Sequence, residues 1–178
     1  MKVYIVGKGR GWDKTPYDNI PVWGITQLIL KRPADLVIDM NVYEDGRWGE
    51  KEKGEARLSR ELCKANDIPY IDLDNYPYEL IKERFKTDYF SNTVDYAIAL
   101  ALYRDYREID LYGVTMEDAG EYQYQKPGVD FWCGMAKGMG VIIRAFGEHS
   151  RIMRTRDNKV YGYDFPQQTK EEKGVLFV

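Results

Sequence analysis

The sequence predicts an α/β fold, with a mostly parallel sheet of about five or six strands and helices on both faces. Short apolar runs of strand length alternate along the chain with longer segments of helical period, as in successive βαβ units. Polar residues directly follow several of these runs, which is expected where parallel strands end in loops. The 178 residues, of which 44% are hydrophobic, are enough for one compact domain with its own core.

Apolar runs predict the strands of this sheet. They are bounded mostly by glycine, proline or polar residues, and such short continuous runs are typical of strands buried on both faces. A weaker run over residues 159–165 predicts a short edge strand. The main predicted strands cover residues 3–6, 36–40, 68–73, 109–112 and 141–145.

The intervening segments predict helices. Leu58, Leu62 and Ala65 have the spacing of one buried stripe in a helix over residues 50–66. Ser91 is the expected N-cap of a helix before the fourth strand, because its hydroxyl can accept a hydrogen bond from the first turn. The other predicted helices cover residues 22–30, 79–85 and 129–137, and residues 115–127 are predicted as a polar loop.

Charge and hydropathy exclude some classes of protein. The formal net charge of -3 lacks the basic excess with which proteins grip duplex nucleic acid. No apolar run approaches the roughly 18 residues of a membrane span, so we expect no membrane partner and a cytoplasmic location. Cys63 and Cys133 have no metal-like spacing and are expected to be reduced core residues.

Residues 1–165 are predicted to form the single domain, and residues 166–178 a polar linker with an apolar tail. The tail could dock on a neighbouring subunit of a homo-oligomer or fold back on its own sheet. Fifteen tyrosines and four tryptophans exceed the needs of a core, and they would suit either an interface or the stacking of a base. The sequence leaves these alternatives open.

A glycine-rich turn directly follows the first predicted strand. In Gly7-Lys8-Gly9-Arg10-Gly11, the glycines would let the backbone approach a ligand closely, and two cations would suit a phosphate. The turn is neither the G-x-G-x-x-G dinucleotide motif nor a P-loop. The alternative is a flexible turn with solvated basic side chains.

Asp39 and Asn41 end the second predicted strand. A carboxylate at this place often meets a ribose hydroxyl, and an amide can bind a polar edge of a ligand. Asp39 would serve equally well as a turn or capping residue.

Acid–base candidates lie later in the chain. Glu121 is accompanied by Tyr122 and Gln125 in the predicted polar loop, where a carboxylate can act as a general base, a nucleophile or a metal ligand. His149, the single histidine, follows the last main strand and could act as a general acid or base. The alternatives are a solvated acidic loop and an exposed loop histidine.

The segment around the fourth strand carries a family resemblance. Ser91-Asn92, the alanines that follow, and residues 109–116 with Gly113 and Thr115 resemble Rossmann-like proteins related to bacterial sialyltransferases and archaeal-type hydroxymethylpterin pyrophosphokinase. The sequence is more similar still to phage-encoded members of this group, through Glu121 and the segment 131–138. The resemblance implies a nucleotide held between the glycine-rich turn and the helix N-terminus. In the family, Asp is common at the position of Thr115.

Two hypotheses of function follow. One is a transferase or hydrolase acting on a nucleotide or nucleotide-activated substrate, with Glu121 and His149 as catalytic residues. The other is a non-catalytic phage protein that sequesters a nucleotide-derived signal in the host cytoplasm. Neither requires a cofactor or a metal ion. The expected ligand-binding residues are common to both: Gly7, Lys8, Gly9, Arg10, Asp39, Asn41, Ser91, Asn92, Gly113, Thr115, Tyr122 and Gln125.

Overall fold

The structure is a computed structural model that describes residues 1–117, 121–147, 150–154, 160 and 163, without the side chains of residues 121 and 122. Its sheet has six strands, and every neighbouring pair is parallel. The predicted α/β fold with a mostly parallel sheet is therefore confirmed. The strands are β1 (Lys2–Val6), β2 (Val22–Ile25), β3 (Leu36–Ile38), β4 (Tyr70–Ile71), β5 (Glu108–Tyr112) and β6 (Ile142–Ala145).

Helices cover both faces of the sheet. Alternate residues of a strand point to opposite faces, so Val3 and Ile5 belong to one core cluster while Tyr4 and Val6 belong to the other. The first cluster packs under three helices and the second under one helix and a 3₁₀ helix, Thr26–Leu30. The helices are α1 (Glu50–Ala65), α2 (Tyr78–Phe85), α3 (Thr93–Tyr103) and α4 (Glu121–Gly138), of which α1 lies on the second face.

The order of the strands is β4-β3-β2-β1-β5-β6. The chain therefore builds outward from β1 in one direction through β4, and then returns to add β5 and β6 on the other side of β1. In open α/β sheets, a crevice forms at such a switch point, outside the carboxyl ends of the two central strands. Here those ends are Val6 of β1 and Tyr112 of β5, which are paired in register.

The helix predicted over residues 22–30 is wrong in its first half. Residues Val22–Ile25 form β2, between β1 and β3, and all four are buried. The position of these residues in the middle of the sheet favours the extended conformation. Gly24 allows close packing there, because a Cβ at this position would lie 3.3 Å from the Cβ of Ala34. Only the second half, Thr26–Leu30, is helical.

The polar loop predicted over residues 115–127 is also wrong, because α4 begins at Glu121 rather than at residue 129. Pro127 lies inside this helix and cannot donate to the carbonyl of Gln123. Both residues are on the exposed side of α4, where water can replace the missing hydrogen bond. On the opposite side, Val129 and Trp132 are fully buried, and their packing holds the helix in place.

The buried face of α1 differs from the prediction. Ala56, Ser59 and Cys63 are buried, whereas the side chain of Leu58 is 53% exposed. These small residues have the same helical period as the predicted stripe, but they let α1 lie close to Thr26–Leu30. The buried, unpaired state expected for Cys63 is observed, and Cys133 is likewise buried and free.

A ladder of charges crosses β1, β5 and β6. Asp110, which is 2% exposed, lies 2.8 Å from Lys2 Nζ and 2.7 Å from Arg144 Nε. Arg144 also lies 2.8 Å from the carboxylate of Glu108. These ion pairs compensate the charge of Asp110, the one buried carboxylate of β5. They also hold the exposed guanidinium of Arg144 on the outermost strand of the described sheet.

The predicted edge strand over residues 159–165 lies largely outside the described residues, and the linker and tail over 166–178 lie wholly outside them. Among the residues that the structure describes, no helix is long and apolar enough to cross a membrane.

The turn after β1 packs directly against the turn after β5. Gly7 N donates to Tyr112 O at 2.8 Å, and Gly9 N donates to Gly113 O at 2.9 Å. Gly113 has φ 60, and a Cβ on it would lie 2.6 Å from Gly7 O. A side chain at this position is therefore excluded by both the backbone conformation and the contact.

We expect Gly113→Ala to lower the free energy of unfolding by at least about 2 kcal/mol, because the left-handed conformation and the backbone clash both oppose a Cβ. Gly54→Ala is the control, since nothing lies within 4 Å of a Cβ at that position in α1. This control should be neutral or stabilising by up to about 1 kcal/mol. Urea denaturation of the two variants makes the comparison, and equal stabilities would contradict the packing described.

Candidate functional site

A cleft of about 600 Å³ lies at the switch point, outside the carboxyl ends of β1, β2, β3 and β5. Its walls are the turns after these strands and the N-terminus of α3. Segments distant in the sequence, predicted separately to bind a ligand, meet here. The predicted ligand-binding residues that line the cleft are Gly7, Lys8, Gly9, Asn41, Ser91, Asn92, Gly113, Thr115 and Gln125.

The other predicted site residues do not line the cleft or are not described. Arg10 and Asp39 lie outside the lining. Glu121 is the first residue of α4, but its side chain and that of Tyr122 are not among the described atoms. His149 lies outside the described residues.

Two cations line the cleft. Lys8 has an exposed side chain whose ammonium donates to Gln27 Oε1, and the pKa of Lys8 is lowered, chiefly because its ammonium is partly desolvated. Arg47 lies at another wall and pairs with Asp45 at 2.5 Å. Among the described lining residues there is no Asp, Glu, His or Cys, so the side-chain charge that faces the cleft is positive. Such a cleft attracts an anionic ligand.

The glycines of the first turn have a structural use. A Cβ on Gly7 would lie 2.5 Å from Gly113 O, and one on Gly9 would lie 2.7 Å from the same oxygen. Gly7 and Gly9 are thus required for the two turns to pack together, whether or not a ligand is bound. Their packing brings Lys8 and Thr115 to the same wall of the cleft.

The N-terminus of α3 is fixed by Asn92 rather than by Ser91, so the predicted cap is wrong by one residue. Asn92 Oδ1 accepts hydrogen bonds from Val94 N at 2.8 Å and Asp95 N at 3.3 Å. Its amide group donates to Gln125 O at 3.1 Å, which ties α3 to α4. The end of α3 therefore faces the cleft in a fixed orientation, with the positive end of its dipole toward a ligand.

Asp95 lies behind this wall, and no sequence pattern indicates its importance. Its carboxylate is fully buried and accepts hydrogen bonds from Ser91 N at 2.7 Å and Ser91 Oγ at 2.7 Å. Burial raises the pKa of Asp95 from its ordinary value of 3.8 to about 6, against the opposing effect of the hydrogen bonds. Gly128 makes room for it, because a Cβ there would lie 2.3 Å from Asp95 Oδ2.

Asp39 lies beneath the cleft rather than in its wall. It is 1% exposed and accepts hydrogen bonds from Asn41 Nδ2 at 2.8 Å, Tyr43 Oη at 2.7 Å and Tyr70 Oη at 2.9 Å. Burial, followed by the charge of Asp39, raises the pKa of both tyrosines, which keeps their hydroxyls protonated. In this structure Asp39 therefore organises the side chains beneath the cleft.

The backbone is strained at two points of the lining. Thr26, directly after β2, has φ 54, and Met116, four residues after β5, has φ 53. Both are non-glycine residues in the left-handed region, which costs of order 1 kcal/mol or more for each. Six described non-glycine residues have positive φ, and these two are the ones that line the cleft.

Aromatic rings form a further wall. Phe90 and Tyr96 stack with centroids 4.2 Å apart, and Phe90 stacks on the other side with Trp132 at 5.0 Å. Phe90 and Tyr96 line the cleft together with Trp48, whose indole N–H is buried and has no hydrogen-bond partner among the described residues. A fixed aromatic wall beside cationic groups suits a ligand with both a ring and a phosphate.

Several lining residues were missed by the sequence interpretation. Thr26 and Gln27 were missed because a helix was predicted over residues 22–30. Pro21 and the run Val-Trp-Gly-Ile are nevertheless signals of a strand that ends just before them. Phe90 and Tyr96 carry no positional signal, because an aromatic residue in a loop or helix is as common in a core as in a pocket. Trp48 belongs to the loop aromatics that were expected to stack on a base or to fill an interface.

No group of three or more His, Cys, Asp or Glu side chains within the described part of the chain is arranged to hold a metal ion.

Comparisons with known proteins give remote likenesses in structure. No protein-family model matches the sequence, and no curated protein is significantly similar to it. The sialyltransferase CST-II in complex with a trisaccharide acceptor and CMP has 12% identity and a TM-score of 0.46, covering 85% of this chain and 83% of that chain. The sialyltransferase CstII from Campylobacter jejuni with cytidine-5'-monophosphate has 13% identity and a TM-score of 0.38, covering 84% and 81%.

We expect the buried carboxyl of Asp95 to make the stability depend on pH. Because its pKa is raised from 3.8 to about 6 on folding, the folded state binds more protons between these values. The contribution of Asp95 is therefore most favourable below about pH 4, and it falls as the pH rises through about 6, by about 3 kcal/mol in all.

Chemical denaturation between pH 4 and 7.5 measures this effect. The unfolding free energy of the wild type relative to Asp95→Asn should fall as the pH rises from 4 to about 6 and should level off above about pH 7. Asp74→Asn, at an exposed position, should run parallel to the wild type. Parallel curves for Asp95→Asn and the wild type would show that the pKa is not raised.

Proposed function

We propose that this chain binds a nucleotide or a nucleotide-activated substrate in the cleft. The observation that carries the proposal is the convergence of a cationic side chain, Lys8, and the N-terminus of α3 on a cleft without lining carboxylates in its described part. Each of these features favours an anion, and together they occupy the switch point where α/β proteins hold such ligands.

The parts of the cleft match the parts of a nucleotide. The ammonium of Lys8 and the exposed guanidinium of Arg47 suit the phosphates. The aromatic wall of Phe90, Tyr96 and Trp48 suits the base or the sugar of the ligand. Asn41 and Gln125 add polar groups that can bind the hydroxyl or amide edges of the ligand.

A transferase that acts on a nucleotide-activated substrate is the first candidate activity. It is supported by the resemblance of the sequence around Ser91-Asn92 and residues 109–116 to sialyltransferase-related proteins. In this proposal Glu121, at the start of α4, and His149, after β6, act as the acid–base residues. Arg10 and Tyr122 are proposed to assist in holding the ligand.

A binding protein without catalytic activity is the second candidate. One observation favours it: the described lining offers no carboxylate, imidazole or thiol that could move a proton or attack a substrate. The phage-like sequence resemblance supports a role of this kind in the host cytoplasm, where such a protein would sequester a nucleotide-derived signal. A homo-oligomer is also proposed, and light scattering of the purified chain tests it.

Lys8→Gln tests the proposed binding. Removing the ammonium should weaken the binding of a nucleoside diphosphate by about tenfold or more, since a hydrogen bond to a charged group is worth about 1.5–3 kcal/mol. Lys51→Gln, on the exposed side of α1, is the control and should bind like the wild type. Isothermal titration with nucleoside monophosphates, diphosphates and sugar nucleotides makes the measurement.

Two outcomes contradict the proposal. If no member of the panel binds, the cleft is not a nucleotide site. If binding is equal in the wild type and Lys8→Gln, the phosphate lies elsewhere.

The ligand recovered after incubation separates the two candidate activities. Intact ligand favours the binding protein, whereas conversion that is lost in Glu121→Gln and His149→Ala favours the transferase. Conversion that survives both substitutions excludes those residues as acid–base groups.

A further inference from the structure

We propose that Asp39 and Tyr43 are positioning residues, which hold the Lys8 ammonium in the cleft through the side chain of Gln27. The proposal deepens the proposed function and rests on it, since it concerns the cation assigned to the phosphate. It assigns a role to Asp39 and Tyr43, which are buried and are not proposed to contact the ligand.

A continuous row of hydrogen bonds joins Lys8 to Asp39. The Lys8 ammonium donates to Gln27 Oε1, and Gln27 Nε2 donates to the hydroxyl oxygen of Tyr43. The Tyr43 hydroxyl in turn donates to Asp39 Oδ2 at 2.7 Å. The row thus runs from the partly desolvated ammonium in the cleft to a carboxylate that is 1% exposed.

The direction of each hydrogen bond follows from its neighbour. The carboxylate of Asp39 accepts, so the single proton of the Tyr43 hydroxyl points to Asp39. The oxygen of Tyr43 can then only accept from Gln27, which must turn its NH₂ group toward Tyr43. The carbonyl oxygen of Gln27 is left facing Lys8, and it is the only end of the amide that can bind an ammonium.

Without the Tyr43 hydroxyl, the Gln27 NH₂ group loses its acceptor, and Asn41 Nδ2, which donates to Tyr43 Oη at 3.4 Å, is left as a donor that favours the turned amide. The two ends of the Gln27 amide are similar in size, so the side chain can turn over at little steric cost. The turned amide would present NH₂ to the ammonium of Lys8, and two donors repel. Lys8 would then leave its position and reach into solvent, where holding it for a ligand costs side-chain entropy.

The row is buried at every member except Lys8. Gln27 is 5% exposed and Tyr43 is 6% exposed, so water cannot easily replace a missing partner. Asn41 holds the other carboxylate oxygen of Asp39, through Nδ2 at 2.8 Å. Asp39 is therefore fixed from both sides and serves as a rigid anchor.

Tyr70 provides a matched control. Its hydroxyl donates to the same oxygen, Asp39 Oδ2, at 2.9 Å. Within the described part of the chain it makes no hydrogen bond with Gln27 or Lys8, and it belongs to β4. Tyr43→Phe and Tyr70→Phe therefore each remove one hydroxyl from Asp39, but only the first interrupts the row to Lys8.

NMR of the lysine ammonium groups tests the positioning in the ligand-free protein. The signal of Lys8, assigned by its absence in Lys8→Arg, should exchange slowly with water in the wild type and in Tyr70→Phe. It should exchange quickly in Tyr43→Phe. Slow exchange in Tyr43→Phe, or equally fast exchange in both variants, would overturn the proposal. Circular dichroism first establishes that each variant is folded.

A rescue variant distinguishes hydrogen-bond order from simple packing. Glutamate at position 27 has acceptor oxygens only, so it can bind Lys8 without help from Tyr43. The double variant Tyr43→Phe with Gln27→Glu should restore the slow exchange of the Lys8 ammonium. Fast exchange in the folded double variant would contradict the proposed order.

Titration with inorganic pyrophosphate links the positioning to ligand binding. We expect the dissociation constant to rise about fivefold to tenfold in Tyr43→Phe and less than twofold in Tyr70→Phe. Equal losses in the two variants would overturn the proposal. If the wild type binds neither pyrophosphate nor a nucleotide, the proposed function fails, while the NMR measurement still decides whether Tyr43 positions Lys8.

Discussion

The close approach of two backbone turns at the ends of β1 and β5 is the constraint on which the cleft depends. Gly7 and Gly9 hydrogen-bond to Tyr112 and Gly113, and neither turn has room for a side chain at the contact. This contact closes the gap between the two central strands at the point where the sheet changes direction. The cleft therefore lies above the joined turns. Lys8 lines it because the contact between the turns fixes its neighbours, Gly7 and Gly9.

Much of this arrangement was predictable from the sequence, because parallel strands follow simple rules. Continuous apolar runs identified β1, β3, β5 and β6 to within a few residues, and the polar residues after them fell at one edge of the sheet. The predictions that were wrong concern segments whose structure depends on tertiary packing. The run Val22–Ile25 has strand signals of its own, but the apolar residues of Thr26–Leu30 follow it without a break, and the two were predicted as one helix. The start of α4 before Pro127 likewise depends on how Val129 and Trp132 pack.

The candidate site was predictable in outline but not in the use of its residues. The sequence predicts Asp39 and Ser91 as ligand-binding residues, and the structure adds contacts within the protein that were not predicted: Asp39 accepts hydrogen bonds from two tyrosines, and Ser91 donates to Asp95. These hydrogen-bond partners lie 4 to 31 residues apart in the sequence, and no sequence pattern predicts the pairing. The role of Gln27 was not predictable either, because it depends on the position of its side chain between Lys8 and Tyr43.

The two edges of the described sheet have a consequence for how copies of this chain can meet. At one edge β4 has only two residues, which is too short to pair firmly with another strand. At the other edge β6 carries Arg144, whose charge is tied to Asp110 and Glu108 on the neighbouring strand. A strand that approached this edge would have to accommodate that guanidinium, and charged side chains on edge strands oppose such pairing. Self-association of these elements is therefore directed to helix and loop surfaces, and growth of the sheet from one molecule into the next is disfavoured.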